Sequence, residues 1–366
     1  MYLFLIILCL FVLLVFVFLQ QEKFGKLPSG KRLEKLKQSP NYKNNAFKNI
    51  SLTPDLTEGV SYYELLKEFF FDKKVRVYPS TIIPSVKTNL LDLDSTNNVL
   101  VWFGHSSYFM QVDGKRILVD PVFSGAATPL PFGTKAFPGT NDYYVKDMPT
   151  IDYLFISHDH WDHLDYDTVK KLKPKIKQVI CGLGVGQHLE HWGYDANSII
   201  EKDWHEKIEL DNNFIVHTVS ARHFSGRGLR RNKSLWMSYV LQTPSMRIFI
   251  GGDSGYDKHF ADIGKSFGPF DIAILENGQY DRKWRYIHLL PNEILQAAKE
   301  LQAKKILPVH SSKFVLGSHA WDEPLRLITE NNEKENLHIL TPMIGEAVYL
   351  KEEQKFSHWW KDLEEV

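Results

Sequence analysis

Residues 1–19 form an unbroken apolar run without a charged side chain. As a helix rising about 1.5 Å per residue, such a run spans about 28 Å, close to a bilayer's hydrocarbon core. No basic residue precedes it and no small-x-small site precedes Gln20-Gln21, so it predicts a single uncleaved membrane anchor rather than a signal peptide. Residues 20–58 are polar and rich in Lys, Asn, Ser and Pro, which predicts an extended linker approaching the domain. Tyr62, Tyr63, Leu65, Leu66, Phe69 and Phe70 have helical spacing and predict a helix over 60–72 packed on the main body. From about residue 95 the pattern becomes dense α/β. Strand-like runs fall at 99–103, 107–112, 116–119, 151–156, 177–181, 213–220, 236–242, 246–250, 271–275 and 304–309, with Asp113-Gly114 as a hairpin turn. Helical patterns fall at 166–172, before His191 and at 292–302. Strands alternating with helices predict two mixed sheets packed face to face between helix layers. The expected organisation is an anchor (1–19), a basic linker and extension (20–94) and a catalytic domain (95–366).

Charge refines this picture. Residues 20–50 hold eight basic and two acidic side chains, which by the positive-inside rule keeps the domain on the cytoplasmic face of the membrane. The remainder holds 36 basic against 42 acidic residues, a poor balance for nucleic-acid binding. Two cysteines, Cys9 and Cys181, cannot build a disulfide framework.

The chemistry concentrates after the strand at 151–156. His158-Asp159-His160-Trp161-Asp162-His163 reads H-x-H-x-D-H, and His223, Asp253 and His310 each follow their own strand-like run. A tight turn points His158 and His160 one way and Asp162 and His163 toward a second position. The later donors reach the same place because strand ends in α/β sheets share one edge. Imidazole and carboxylate donors without thiolates suit two zinc ions, or iron or manganese, with Asp253 as the bridging carboxylate. Two clustered metals imply hydrolysis by metal-activated water.

These motifs resemble the metallo-β-lactamase superfamily, an αββα sandwich. Gly104-His105-Ser106-Ser107, Val119-Asp120-Pro121-Val122-Phe123, Ser220-Ala221-Arg222-His223-Phe224, Gly252-Asp253-Ser254-Gly255-Tyr256 and Phe267-Gly268-Pro269-Phe270-Asp271 are similar to N-acylphosphatidylethanolamine-hydrolysing phospholipase D and its bacterial relatives. The resemblance implies His158, His160 and His223 on one zinc, Asp162, His163 and His310 on the other, and Asp253 between them. It also places His288 beside a substrate phosphate, as a donor to the leaving oxygen or a charge stabiliser, and Asp162 and Asp253 in the catalytic centre. Gln279 and Tyr280 are further candidates for substrate binding, and His105 for orienting a ligand.

The expected activity is that of a membrane-tethered zinc phosphodiesterase cutting N-acylated phospholipids to phosphatidic acid and an N-acylethanolamine. Leu130, Phe132, Phe137 and Tyr143 are the expected acyl-accepting rim. A homodimer is a family habit. Two rival readings differ in class. One is a hydrolase of a soluble lactone or phosphoester, similar to ascorbate-phosphate lactonases, for which Arg222, Arg227, Arg230 and Arg231 would bind phosphate. The other is a membrane-bound metal-binding protein without catalysis, against which the complete donor set argues.

Overall fold

The computed structural model describes residues 2–71, 75–130 and 133–363. Residues 2–19 form a helix, α1 (Tyr2–Leu19), that buries none of its side chains. It is long and apolar enough to cross a membrane. The following segment departs from the expected extended linker. It forms α2 (Gly30–Gln38) and a small hairpin of β1 (Tyr42–Lys43) and β2 (Ala46–Phe47). Leu36 of α2 is buried against the domain, and Arg32 reaches Glu190 at 2.7 Å and Glu201 at 2.6 Å. Ion pairing and one apolar anchor thus order a stretch whose composition reads as linker. Next comes α3 (Tyr62–Phe71), whose Tyr62, Tyr63 and Phe71 are exposed. The side chains of Leu66, Phe69 and Phe70 lie outside the described residues.

The first sheet contains β3 (Val99–Trp102), β4 (Tyr108–Val112), β5 (Lys115–Val119), β6 (Ile151–Ile156), β7 (Ile176–Gly182), β8 (Ile199–Lys202) and β15 (Ala347–Tyr349), in the order β15-β3-β4-β5-β6-β7-β8. β4 and β5 join through Asp113-Gly114, both at positive φ (45° and 77°), the geometry a two-residue hairpin turn requires. The second sheet contains β9 (Lys207–Glu209), β10 (Ile215–Val219), β11 (Ser238–Gln242), β12 (Arg247–Ile250), β13 (Ile272–Glu276) and β14 (Ile306–Val309), in the order β14-β13-β12-β11-β10-β9. On the outer faces lie α4 (Tyr166–Leu172) and α5 (Gly186–His191) on one side, and α6 (His259–Phe267), α7 (Glu293–Glu300) and α8 (Glu323–Glu335) on the other.

Period-two alternation sorts the strands into layers. Leu100, Trp102, Met110, Ile117, Val119 and Phe155 face Tyr239, Leu241, Ile248, Ile250, Ile274 and Leu307 in the core between the sheets. The alternate residues Val101, Phe109, Leu118, Leu154 and Val179 meet Val169, Leu172 and Leu189 of the helices. Phe249, Ala273 and Leu275 meet Phe260, Ile263, Ile294 and Leu295 on the other side. The architecture is therefore an αββα sandwich. Strands β12 and β13 and strands β13 and β14 pair in parallel, as do β5 with β6 and β6 with β7. Their carboxyl ends open on one edge.

Helices α6 and α7 cross closely because Gly264 has no side chain: a Cβ there would lie 1.8 Å from the Glu300 carbonyl oxygen. Gly264→Ala is expected to cost about 1–3 kcal/mol through overpacking. In urea the midpoint should fall with an unchanged slope, and an unaltered midpoint would contradict this packing.

Candidate metal centre

Strand β6 is paired with β5 on one side and β7 on the other and ends at Ile156, where the chain turns across the edge of the first sheet. The turn is tied down before any donor is counted. Asp120, at the end of β5, accepts from the Ser157 amide (2.8 Å) and hydroxyl (2.5 Å) and from His163 Nδ1 (2.9 Å). Asp159 accepts from Gly226 N (2.7 Å) and Ser234 Oγ (2.7 Å). Burial works against its charge, but the hydrogen bond from His188 helps hold it well below the usual carboxylate range. Asp159 thus anchors the motif loop to the second sheet's side of the molecule. On that side, Gly252 lets Asp253 approach, since a Cβ there would meet Ser157 Cβ at 2.7 Å.

His223 follows β10, Asp253 follows β12 and His310 follows β14, so the structure brings all seven candidate donors to one edge. Together with His105 they form two adjoining groups whose donor atoms lie within 4.8 Å: His158, His160, His223 and Asp253; and His105, Asp162, His163 and His310. Hydrogen bonds fix which ring nitrogen faces inward. His223 Nδ1–H donates to the Ile287 carbonyl (2.8 Å) and His158 Nδ1–H to Ser157 Oγ (3.0 Å), leaving Nε2 of each toward the centre. His160 Nδ1 stands 2.8 Å from His158 Nε2 and 3.3 Å from His223 Nε2. Three imidazole nitrogens thus converge at one point.

Asp253 divides its oxygens between the groups. Oδ2 faces His158 Nε2 (3.8 Å) and His223 Nε2 (3.6 Å); Oδ1 faces His163 Nε2 (3.2 Å) and His310 Nδ1 (3.3 Å). His163 Nε2 and Asp253 Oδ1 are buried and make no hydrogen bond. Buried polar atoms without partners are costly, and cations between them would relieve that cost. The donor set therefore fits two divalent cations, with Asp253 between them. A third grouping, Asp253, Glu276, His288 and His310, also lies within 4.8 Å. Glu276 needs no cation, because Oε1 accepts from Ser254 N and Leu289 N (2.9 Å each) and Oε2 shares a hydrogen bond with His288 Nδ1 (2.5 Å).

The supporting groups are mostly ones the sequence did not single out. Asp120 orients His163, Ser106 Oγ lies 2.9 Å from His310 Nδ1, and Glu276 holds the His288 ring so that Nε2 is left for the cavity. His105 Nε2–H donates to Asp162 Oδ2 at 2.8 Å, in keeping with an orienting role. In Asp120 the signal was its place after a strand; in Glu276 it was a carboxylate ending the buried strand β13.

Beside the donors lies a cavity of about 300 Å³, lined by His160, His223, Asp253, His288 and His310 and by Leu56, Tyr62, Phe224, Trp284, Ile287, Leu316 and Arg231. The expected rim is corrected here. Phe137 and Tyr143 are buried in the core, Leu130 is exposed away from this lining, and Phe132 lies outside the described residues. The apolar wall comes instead from the N-terminal extension and the segments after β10, β13 and β14. Tyr280 is also corrected: it is buried outside the lining and its hydroxyl donates to Glu323 (2.9 Å). Gln279 lines the cavity, but its Oε1 accepts from Leu316 N and Gly317 N and its Nε2 donates to the Phe314 carbonyl. That amide holds a loop rather than a substrate. Among the arginines, Arg227 is buried against the Asp159 and Leu164 carbonyls and Arg222 binds the Leu52 and Tyr256 carbonyls. Arg231 lines the cavity, with its guanidinium 3.9 Å from the Phe224 ring centre. Asp55 lies 3.2 Å from it.

Burial pushes the His158, His223 and His310 pKa values well below the usual histidine range, so these rings are neutral donors at pH 7. Burial also disfavours the His163 imidazolium, but the Asp253 and Asp162 carboxylates outweigh it and raise that pKa well above normal. Burial raises Asp253 as well. In the metal-free centre this pair therefore retains a proton that a cation must displace. Cation affinity should fall as pH drops below 7 and rise as pH increases toward the raised His163 pKa. Titration calorimetry at pH 7 in two buffers of different ionisation enthalpy should show proton release. A heat independent of the buffer would contradict this reading.

A family profile described as "Beta-lactamase superfamily domain" matches residues 115–311. An uncharacterised protein of Mycobacterium tuberculosis is 34% identical over 328 residues, covering 88% of each chain. N-acyl-phosphatidylethanolamine-hydrolyzing phospholipase D 1 of Caenorhabditis elegans is 30% identical over 235 residues, 59% of this chain and 64% of its own length. Among solved structures, Igni18, a metallo hydrolase of the archaeon Ignicoccus hospitalis, superposes with a TM-score of 0.53 at 18% identity over 69% of this chain and 97% of its own. Sheet order, the donor edge and these matches agree: the chain belongs to the β-lactamase superfamily, as a metal-dependent hydrolase of the metallo-β-lactamase fold.

Proposed function

We propose that the protein is a membrane-tethered binuclear zinc phosphodiesterase of phospholipase D type, acting on N-acylated phosphatidylethanolamine. The observation that carries this reading is the cavity's composition. A complete two-cation donor set meets an apolar wall of Leu56, Phe224, Trp284, Ile287 and Leu316, with a single guanidinium, Arg231, in the lining. A phosphodiester carrying acyl chains matches that division, and the name of the C. elegans relative carries the same substrate. His158, His160 and His223 would hold one cation and Asp162, His163 and His310 the other, with Asp253 available to both. Two divalent cations in such a cage supply polarisation of a phosphoryl oxygen and activation of water at neutral pH.

The chain's own residues do the rest. Arg231 binds a phosphoryl oxygen from the open side. Burial raises the Glu276 pKa and lowers that of His288, so the proton between Glu276 Oε2 and Nδ1 stays on Glu276 and His288 carries its own on Nε2, which it offers to the oxygen leaving phosphorus. Water adds to phosphorus and gives up a proton, the bond to the ethanolamine oxygen breaks, that oxygen takes the Nε2 proton of His288, and the proton released by water restores His288. The products are phosphatidic acid and an N-acylethanolamine. The apolar wall keeps bulk water from competing with the donors for charge.

The test is release of N-acylethanolamine from vesicles containing N-acylphosphatidylethanolamine. His288→Gln should lower kcat by about 10²–10⁴-fold with metal content unchanged. Turnover of soluble phosphoesters or lactones with none of the lipid would refute the proposal.

A further inference from the structure

The anchor helix is joined to the domain by very little free chain. Only Gln20 and Gln21 separate α1 from Glu22, whose carbonyl already accepts from Trp192 Nε1 (2.8 Å). The Lys23 carbonyl accepts from Arg227 Nη2 (2.9 Å), and Lys26 N donates to His188 Nδ1 (3.1 Å). Phe24 packs edge-on against Trp161, ring centres 5.2 Å apart, and Trp161 stands between two of the candidate metal donors. Three residues of extended chain reach about 10 Å. A bilayer holding α1 therefore lies within that distance of Glu22, two residues before Phe24 meets the motif loop.

Two exposed loop tips flank this root. Lys23 Nζ donates to the Pro129 carbonyl (2.5 Å), beside exposed Leu130. Gly228, next to Arg227, has its ideal Cβ 3.8 Å from Phe24 Cδ1; the residue after it, Leu229, is 84% exposed and is followed by exposed Arg230. A leucine that open, followed by two arginines and beside the exit of an apolar helix, has the make-up of an interfacial contact. The same loop ends in Arg231, which lines the metal cavity.

We propose that Leu130 and Leu229–Arg230 are a second point of contact with the membrane. The leucines enter the headgroup boundary and Arg230 meets anionic phospholipid. The domain is then seated with the cavity mouth at the bilayer surface, so a lipid phosphate reaches the donors without leaving the membrane. This rests on the proposed lipid substrate for its use, and on α1 crossing the bilayer for its geometry.

The experiment uses the full chain in vesicles containing phosphatidylglycerol and a nitroxide-labelled lipid. An environment-sensitive fluorophore is placed by Leu229→Cys in a Cys9→Ser background, Cys181 being buried. Glu333→Cys, exposed near the far end of α8, is the reference. Quenching should be several-fold stronger at 229 than at 333, and should weaken with Arg230→Glu or with wholly zwitterionic vesicles. Equal quenching at the two positions would overturn the proposal. So would a blue shift at 229 that appears in detergent and grows with protein concentration, which would assign the patch to a second copy. Hydrolysis of N-acylphosphatidylethanolamine in the same vesicles separates the two ideas. Hydrolysis with 229 unquenched rejects the seating alone, and quenching without hydrolysis rejects the substrate alone.

Discussion

Asp253, itself buried, presents its two carboxylate oxygens to different sets of imidazoles. Oδ2 faces His158 and His223, and Oδ1 faces His163 and His310. That arrangement leaves His163 Nε2 and Asp253 Oδ1 buried and unpaired, a cost that divalent cations remove. Much of the fold can be understood as holding this one carboxylate in place. Gly252 admits it, the β12–β13 parallel pair sets its depth, and the Asp120 and Asp159 side chains pin the opposing loop. The two sheets contribute donors from opposite sides, so the core between them also fixes the centre.

Much of this was legible in the residues. Alternation in the strand runs reads directly as two layered sheets, and Asp113-Gly114 reads as the hairpin between β4 and β5. The donors were legible as a group because each follows a strand, and parallel strands end on a common edge. Other parts carry weak local signals. Strand β9 is three residues long, and α6 contains Gly264, which propensity disfavours in a helix but the crossing with α7 requires. Helix α2 reads as charged linker because its order comes from Arg32 pairing with residues more than 150 positions away.

The supporting groups were hidden for a related reason. Glu276 and His288 are 12 residues apart, and Asp120 and His163 are 43 apart, so spacing does not reveal either pair. His105, Asp120 and His310 adopt positive φ values of 53°, 40° and 68°. Such conformations cost about 1–3 kcal/mol and persist where surrounding contacts over-determine them. Tertiary bonding sets them, with no local preference to announce them. The cavity wall follows the same rule: it draws on Leu56 and Tyr62 of the extension, which no motif connects to the donors.

The extension therefore belongs to the centre as much as the motif does. It clamps the root of α1 to the motif loop and completes the cavity. What the rest of the centre serves is a carboxylate, Asp253, placed to stand between two cations. Metal analysis of the purified full chain tests this most directly. It should find about two divalent cations per chain, and Asp253→Ala should lose metal from both positions together, as expected when one carboxylate serves both ions. A hydrolytically active wild-type chain holding a single cation, or an Asp253→Ala variant retaining both, would contradict it.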